Sequence, residues 1–195
     1  MASNAPETTA GSAPALISTA PVPVLMLRGS AALSPFRQER LMNRLRAALP
    51  AIETVYAEYR HFAALDQDLS APELGVLERL LTYGPKLESR APQGELLLVV
   101  PRVGTISPWS TKATDIARHC TLKNVRRLER GVAWFVRKRD GAPLTPNERT
   151  QVAALVHDRM TESVLAGFNE AATLFRVENP APLSTVDVLT GGHAA

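Results

Sequence analysis

The sequence has few of the residues and segments that many enzymes, secreted proteins and membrane proteins need. It contains one cysteine, Cys120, which excludes an intramolecular disulfide and favours a reducing, cytoplasmic compartment. No apolar run approaches the roughly 20 residues that a membrane span requires. The first basic residue is Arg28, so the N-terminus lacks the basic region of a signal peptide. We therefore expect no membrane partner.

Motifs for phosphate and metal binding are also absent from the sequence. Neither G-x-x-x-x-G-K-[ST] nor G-x-G-x-x-G occurs, and these are the two common phosphate cradles. The four histidines are far apart, and there is no H-E-x-x-H or C-x-x-C motif. A net charge of +3 is too small to indicate a nucleic-acid partner. The sequence thus predicts that this chain binds no metal, cofactor or nucleic acid.

Two polar clusters are candidate catalytic sites. Cys120 follows His119, but it continues the apolar face of a predicted helix, which favours a structural role over a nucleophilic one. Residues 157–162 form the densest polar cluster, which we predict to lie on a helix with Asp158 and Glu162 on one face. A solvated face with local ion pairs is favoured there over a catalytic dyad.

A third cluster is basic and surrounds one predicted strand, with Trp134 and Phe135 between the charges. This pattern is found in strands that bind RNA by stacking. More often, such a strand buries its aromatic residues and solvates its basic ones, and this second interpretation is favoured. The basic residues are Arg126, Arg127, Arg130, Arg137, Lys138 and Arg139.

Helix starts are the clearest local signals in the sequence. Each has a serine or threonine N-cap with a proline in the first turn, where the missing N–H is harmless. Two of them also carry the glutamate of a capping box, Glu73 and Glu148. The starts recur about every 37 residues, which predicts a repeated strand–helix unit. The N-caps are Ser34, Ser70, Ser107 and Thr145.

Apolar runs between these helices predict strands. One of them, 95–101, is continuously apolar, as in a strand buried on both faces. The order is βαβα twice, which predicts an α+β fold with two similar subdomains that share a sheet or pack sheet to sheet. A helical region follows, because the apolar periodicity after Thr145 continues towards Phe175. The predicted strands are 23–28, 52–65, 95–101 and 125–138.

Six segments carry the most distinctive stretches of the sequence, in order and without large gaps between them. They are Leu27–Ser34, Ile52–Tyr59, Leu80–Pro85, Pro101–Ile116, Arg127–Gly131 and Leu155–Glu162. Together they resemble the N-terminal, small-subunit-like domain and linker region of bacterial large-type phosphoribosylformylglycinamidine synthases, also called formylglycinamide ribonucleotide amidotransferases. The resemblance runs from about Val24 to Leu189 and is most specific between Pro101 and Ile116. It implies a ferredoxin-like-related fold formed by a fused pair of small subunits.

The resemblance also implies a domain organisation, with a small-subunit-like domain over 21–140 and a helical linker region over 141–179. Composition predicts the two ends. Residues 1–20 are rich in Ala, Ser, Thr and Pro, which predicts a disordered tail, and the Pro- and Gly-rich residues 180–195 predict an extended linker with a truncated end.

The family enzyme is an ATP- and glutamine-dependent ligase that converts formylglycinamide ribonucleotide to formylglycinamidine ribonucleotide in de novo purine biosynthesis. The resemblance implies that its synthetase and glutaminase domains, with ATP and Mg²⁺, lie beyond this chain. We therefore expect no catalytic residue here, an inactive isolated chain, and those two domains as partners. The alternatives are a stand-alone adaptor derived from a truncated paralogue or, less favoured, an RNA-binding domain.

Docking residues are expected among the family-signature positions, at a loop and helix start and in the second polar cluster. The first set is Arg102, Gly104, Thr105, Ser107, Pro108, Trp109, Ser110, Lys112 and Thr114, with Arg130. The second set is His157, Asp158, Arg159, Thr161 and Glu162.

Overall fold

A computed structural model describes residues 23–84 and 92–176. The predicted tail over 1–20 and the predicted linker over 180–195 lie outside the described residues. Within the described ranges, no helix is long and apolar enough to cross a membrane. The elements are β1 (Val24–Ala31), α1 (Pro35–Ala48), β2 (Ile52–Leu65), α2 (Ala71–Leu81), β3 (Glu95–Pro101), α3 (Pro108–His119), β4 (Val125–Lys138), α4 (Pro146–Val156), β5 (Glu162–Leu165) and a 3-10 helix, η1 (Phe168–Phe175).

The strands form one antiparallel sheet in the order β1-β2-β4-β3-β5. Each βαβα half contributes a short strand and a 14-residue strand, and the two long strands pair at the centre. The α+β prediction is therefore confirmed, and of the two arrangements left open, the halves share one sheet.

The two faces of the sheet are covered differently. The four α-helices bury apolar clusters on one face, including Leu45 and Val152 in one cluster and Leu77 in the other. On the opposite face, η1 packs Leu174 and neighbouring apolar residues against the sheet. β3 is buried on both faces, as its continuous apolar run predicts.

All four predicted helix starts are confirmed. Ser107 Oγ accepts a hydrogen bond from Ser110 N at 3.0 Å, and the Glu73 carboxylate accepts one from Ser70 N at 2.8 Å. Thr145 and Glu148 form the second capping box. Each cap satisfies backbone donors that the first helical turn leaves without a partner.

The prediction that the fourth helix runs on towards Phe175 is wrong. α4 ends at Val156, His157 is extended, and residues 158–161 form a turn that leads into β5. β5 pairs with the outer edge of β3, whose N–H and C=O groups would otherwise lack partners at a buried strand. Sheet pairing thus outweighs the helical periodicity, and the predicted division at residue 140 separates residues that share one sheet.

The prediction that Cys120 continues the apolar face of α3 is also partly wrong. Ser110, Thr114 and Ala117 are its buried residues, whereas Ile116 is 48% exposed and Cys120 is half-buried. The first half of β4 extends beyond its pairing with β3, and α3 covers this edge. Thr114 Oγ1 accepts a hydrogen bond from Leu128 N at 2.9 Å there. Small side chains on α3 permit this close approach.

β1 ends three residues later than predicted, at Ala31, with irregular pairing between Arg28 and Ala31. At Gly29 the strand passes close to β2. A Cβ at this position would lie 2.6 Å from His61 Cε1. Glycine is therefore the residue that lets the strand continue past the buried imidazole.

Candidate functional site

The two predicted docking segments lie side by side. Pro101, at the end of β3, pairs with Glu162, at the start of β5, and Arg102 N donates to Thr161 O at 2.9 Å. The turn after β3 is closed by a 3.1 Å hydrogen bond from Thr105 N to Arg102 O, with Gly104 at a φ of +86°. Only glycine adopts that φ without strain.

This pair of turns presents apolar side chains to solvent. Ile106 is 64% exposed and Met160 is 75% exposed, and one lies in each of the two turns. The neighbouring polar residues are exposed as well. We call this region the turn surface, and it consists of Arg102, Gly104, Thr105, Ile106, Arg159 and Met160.

The carboxylates of the second polar cluster hold its turn together. Asp158 Oδ1 accepts from Met160 N at 2.8 Å, and Glu162 Oε2 accepts from Asp158 N at 2.8 Å. The hydrogen bond from Met160 N is the main reason that the pKa of Asp158 is lowered. Both acids therefore have local structural partners, although they lie in a turn rather than on the predicted helix face.

A buried glutamate that the sequence analysis did not single out fixes the start of α3. Glu129, on β4, is fully buried, and its Oε2 accepts from Ser107 Oγ at 2.8 Å. Arg127 pairs with this carboxylate and also donates to Thr105 O at 2.8 Å. The contacts position the 102–107 loop rigidly against the sheet. Pro108 occupies the first turn of α3 behind it.

A second buried glutamate, Glu58, lies on β2 on the same face of the sheet. It pairs with Arg28 and Arg60, and the Arg60 guanidinium lies 4.9 Å from the ring centre of Phe168 in η1. The Arg127 guanidinium lies 5.4 Å from the Phe175 ring at the other end of η1. The two buried ion pairs therefore lie beneath η1.

The opposite face carries a cluster of rings around Arg130. The guanidinium lies 4.4 Å from the Tyr59 ring centre and 5.0 Å from that of Trp109, and Nη1 donates to Tyr83 Oη at 3.2 Å. The imidazole of His61 contacts both Tyr83 and Trp109. These five residues are called the Arg130 cluster below.

His61 is electrically neutral at pH 7 in this environment. The residue is 1% exposed, and Nε2 lies 2.6 Å from Tyr83 Oη. Burial, followed by the charge of Arg130, lowers its pKa to about 4. Burial also raises the pKa of Tyr83. The cluster therefore holds one positive charge, on Arg130.

Tyr83 and Trp109 also form one wall of a pocket of about 230 Å³ between α2 and α3. Its lining is largely apolar, with Ile116 on α3 and Lys112 as the basic residue. Ser110 and Thr114, by contrast, face the sheet and serve the packing of α3.

The basic strand is not a continuous charged surface. Trp134 and Phe135 are buried on opposite faces of the sheet, which confirms that the strand buries its aromatic residues. Arg137 pairs with Glu53, and Lys138 with Glu148. In the described ranges, no group of three or more potential metal-ligating side chains occurs.

The fold defines the class of protein: an α+β domain in which two βαβα halves share one sheet. Its buried glutamates pair with arginines, and it exposes a loop surface at one edge of the sheet. The particular family follows from a comparison with known families. The family model described as formylglycinamide ribonucleotide amidotransferase N-terminal matches residues 58–175. This match covers more than half of the chain, from the middle of β2 to the end of η1, and the chain belongs to that family.

Proposed function

We propose that this chain is the N-terminal docking part of phosphoribosylformylglycinamidine synthase, the ATP- and glutamine-dependent ligase that makes formylglycinamidine ribonucleotide. In this proposal the chain is inactive alone. It packs against the synthetase domain, where ATP and Mg²⁺ act, and completes the enclosure of that site. Family membership supports the parent enzyme.

The turn surface is the observation that carries the docking role. Two segments far apart in sequence meet there through the Arg102–Thr161 hydrogen bond and expose Ile106 and Met160 together. The Glu129 carboxylate and Arg127 hold one of these segments rigidly. A preorganised surface with exposed apolar side chains favours association because little side-chain and loop entropy remains to be lost.

The test is functional complementation. Glutamine-dependent ATP hydrolysis in the presence of formylglycinamide ribonucleotide would be measured for this chain, for a separately produced remainder of the enzyme, and for their mixture. We expect turnover in the mixture and none from either part by itself. Turnover by the chain alone, or a remainder whose activity the chain leaves unchanged, would refute the proposal.

Matched variants separate docking from folding. The double variant Ile106→Asp/Met160→Asp should weaken complementation at least tenfold, because it places charge in an apolar contact. Both positions are exposed, so the unfolding midpoint of the chain should stay nearly unchanged. The control is Phe36→Asp, which changes an exposed apolar residue on α1, outside the turn surface. Equal loss in the control and the double variant would contradict the assignment of this surface.

A further inference from the structure

Arg130 differs from every other half-buried or buried arginine and lysine in residues 23–84 and 92–176. Five of these six basic residues form an ion pair with a carboxylate, and Arg130 does not. A partly desolvated charge normally has an ionic partner, because removing it from water is costly. The five paired residues are Arg60, Arg127, Arg137, Lys138 and Arg149.

The groups around Arg130 leave most of its hydrogen-bonding capacity unused. The rings of Tyr59 and Trp109 stabilise the charge through their faces, and the phenol of Tyr83 accepts one hydrogen bond. A guanidinium has five N–H donors in a fixed planar arrangement. Arg130 is half-buried, and in the described part of the chain Tyr83 is the hydrogen-bond partner of its guanidinium.

Two further features make the surroundings of Arg130 positive. Trp109, which stacks on the guanidinium, belongs to the first turn of α3, where the helix dipole is positive. Lys112 lies one turn further along α3 and lines the same pocket as Trp109. The buried His61 is neutral and therefore leaves the positive charge of these surroundings unchanged.

From this arrangement we infer that the Arg130 cluster is a binding site for a carboxylate group. A planar carboxylate matches the planar donor set of a guanidinium in two parallel hydrogen bonds. It is also the class of anion that the other half-buried basic residues of this protein bind. The aromatic walls favour a carboxylate attached to a flat or apolar body.

The carboxylate has two possible sources, and the experiment separates them. It belongs to a small free acid, or to an aspartate or glutamate side chain on an adjoining domain of the enzyme. The second source rests on the docking function proposed above, whereas the first is independent of it.

The first arm uses the full chain alone. Benzoate would be titrated at constant ionic strength, with benzamide as the uncharged isostere, while the indole N–H resonances of Trp109 and Trp134 are followed by NMR. A small-acid site predicts a saturable shift of Trp109 with benzoate only. The shift should be lost in Arg130→Gln. It should be reduced in Arg130→Lys, because lysine keeps the charge but lacks the planar set of donors. The control is Arg126→Gln, at an exposed position on the same strand, which should retain the shift.

The second arm measures association of the chain with the separately produced remainder. A protein-borne carboxylate predicts that Arg130→Gln raises the Kd about tenfold or more and Arg126→Gln leaves it unchanged, with no saturable benzoate shift. The inference is overturned if neither arm depends on Arg130.

Discussion

Arg127 and Arg130 lie three residues apart on β4 and therefore project from opposite faces of the sheet. Arg127 pairs with the fully buried Glu129 and lies beneath η1. Arg130 has tyrosine, tryptophan and histidine side chains around it and, in residues 23–84 and 92–176, no acid partner. One arginine thus completes an internal ion pair, whereas the other presents its charge outward.

The comparison shows that the same side chain has different roles on the two faces. On the η1 face, each buried glutamate has its own arginine, and η1 closes over them through Phe168 and Phe175. The buried carboxylates of that face are therefore neutralised by arginines of the same chain. On the helical face, the charge of Arg130 is stabilised by rings but not neutralised, so it remains available to a ligand or partner. Four predictions test this difference, from the largest effect to the smallest.

Glu129→Ala should cause the largest loss of stability, about 3–5 kcal/mol, because it leaves Arg127 and the start of α3 without their buried acceptor. Urea unfolding would measure it. The control is Glu53→Ala, which removes the exposed partner of Arg137 and should cost no more than about 1 kcal/mol. Similar losses of stability in the two variants would mean that the buried Glu129 stabilises the fold no more than an exposed ion-pair partner does.

The buried imidazole of His61, on the Arg130 face, should make the free energy of unfolding depend on pH. Its pKa is about 4 in the folded protein and near 6.5 when unfolded, so the unfolded state binds more protons as the pH falls. This contribution to stability is complete above pH 6.5 and is lost towards pH 4, with about 2 kcal/mol lost between pH 7 and pH 5.

Unfolding of the wild type and of His61→Gln at both pH values isolates this contribution from that of the carboxylates. The wild type should lose about 2 kcal/mol more than the variant on going from pH 7 to pH 5. Equal losses would show that the imidazole takes up its proton in the folded state.

Thr114→Val tests the edge of β4 that α3 covers. The substitution keeps the shape of the side chain but removes the acceptor for Leu128 N, leaving a buried donor unsatisfied, at a cost of about 1–2 kcal/mol. Thermal unfolding would detect it, with the exposed Thr111→Val as the control. Faster hydrogen exchange at the Leu128 amide is the specific readout. An unchanged exchange rate would mean that the hydroxyl does not protect this edge.

Arg130→Gln should have the smallest effect on stability, below about 1 kcal/mol, because the lost ring contacts are offset by relief of a partly desolvated charge. The matched variant Arg127→Gln should cost clearly more, since it leaves the Glu129 carboxylate buried without its cation. Chemical denaturation of the two variants compares the faces directly. A larger loss for Arg130→Gln would reverse the comparison.

Local signals in the sequence were sufficient for most of the fold. Local cap contacts fix the helix starts. The hydroxyls of three N-caps accept from a backbone N–H three residues on, and at the fourth start the Glu73 carboxylate accepts from Ser70 N. The three N-caps are Ser34, Ser107 and Thr145. β2, β3 and β4 have the predicted bounds because the apolar pattern is long in each, alternating in β2 and β4 and continuous in β3.

The errors arise where a distant element decides the outcome. Residues 157–165 have helical periodicity, but residues 162–165 pair with the free edge of β3 as β5. The inward face of α3 depends on the edge of β4, which a local pattern does not reveal.

Much of the candidate site depends on tertiary proximity. Arg102, Thr161 and Arg130 are all predicted signature residues, but nothing in the sequence indicates that the first two touch. Glu129 and His61 were not predicted, since an isolated glutamate or histidine in a strand usually faces solvent. The available signal was their position within long apolar strands, where a polar side chain needs a buried partner.

Hydrogen exchange on the chain, alone and mixed with the separately produced remainder of the enzyme, tests the docking account most directly. We predict slower exchange on mixing at 102–107 and 157–162, with no change at the start of α1 around Phe36. Unchanged exchange in both turns, or protection confined to α1, would contradict the proposal that the turn surface is where this domain docks.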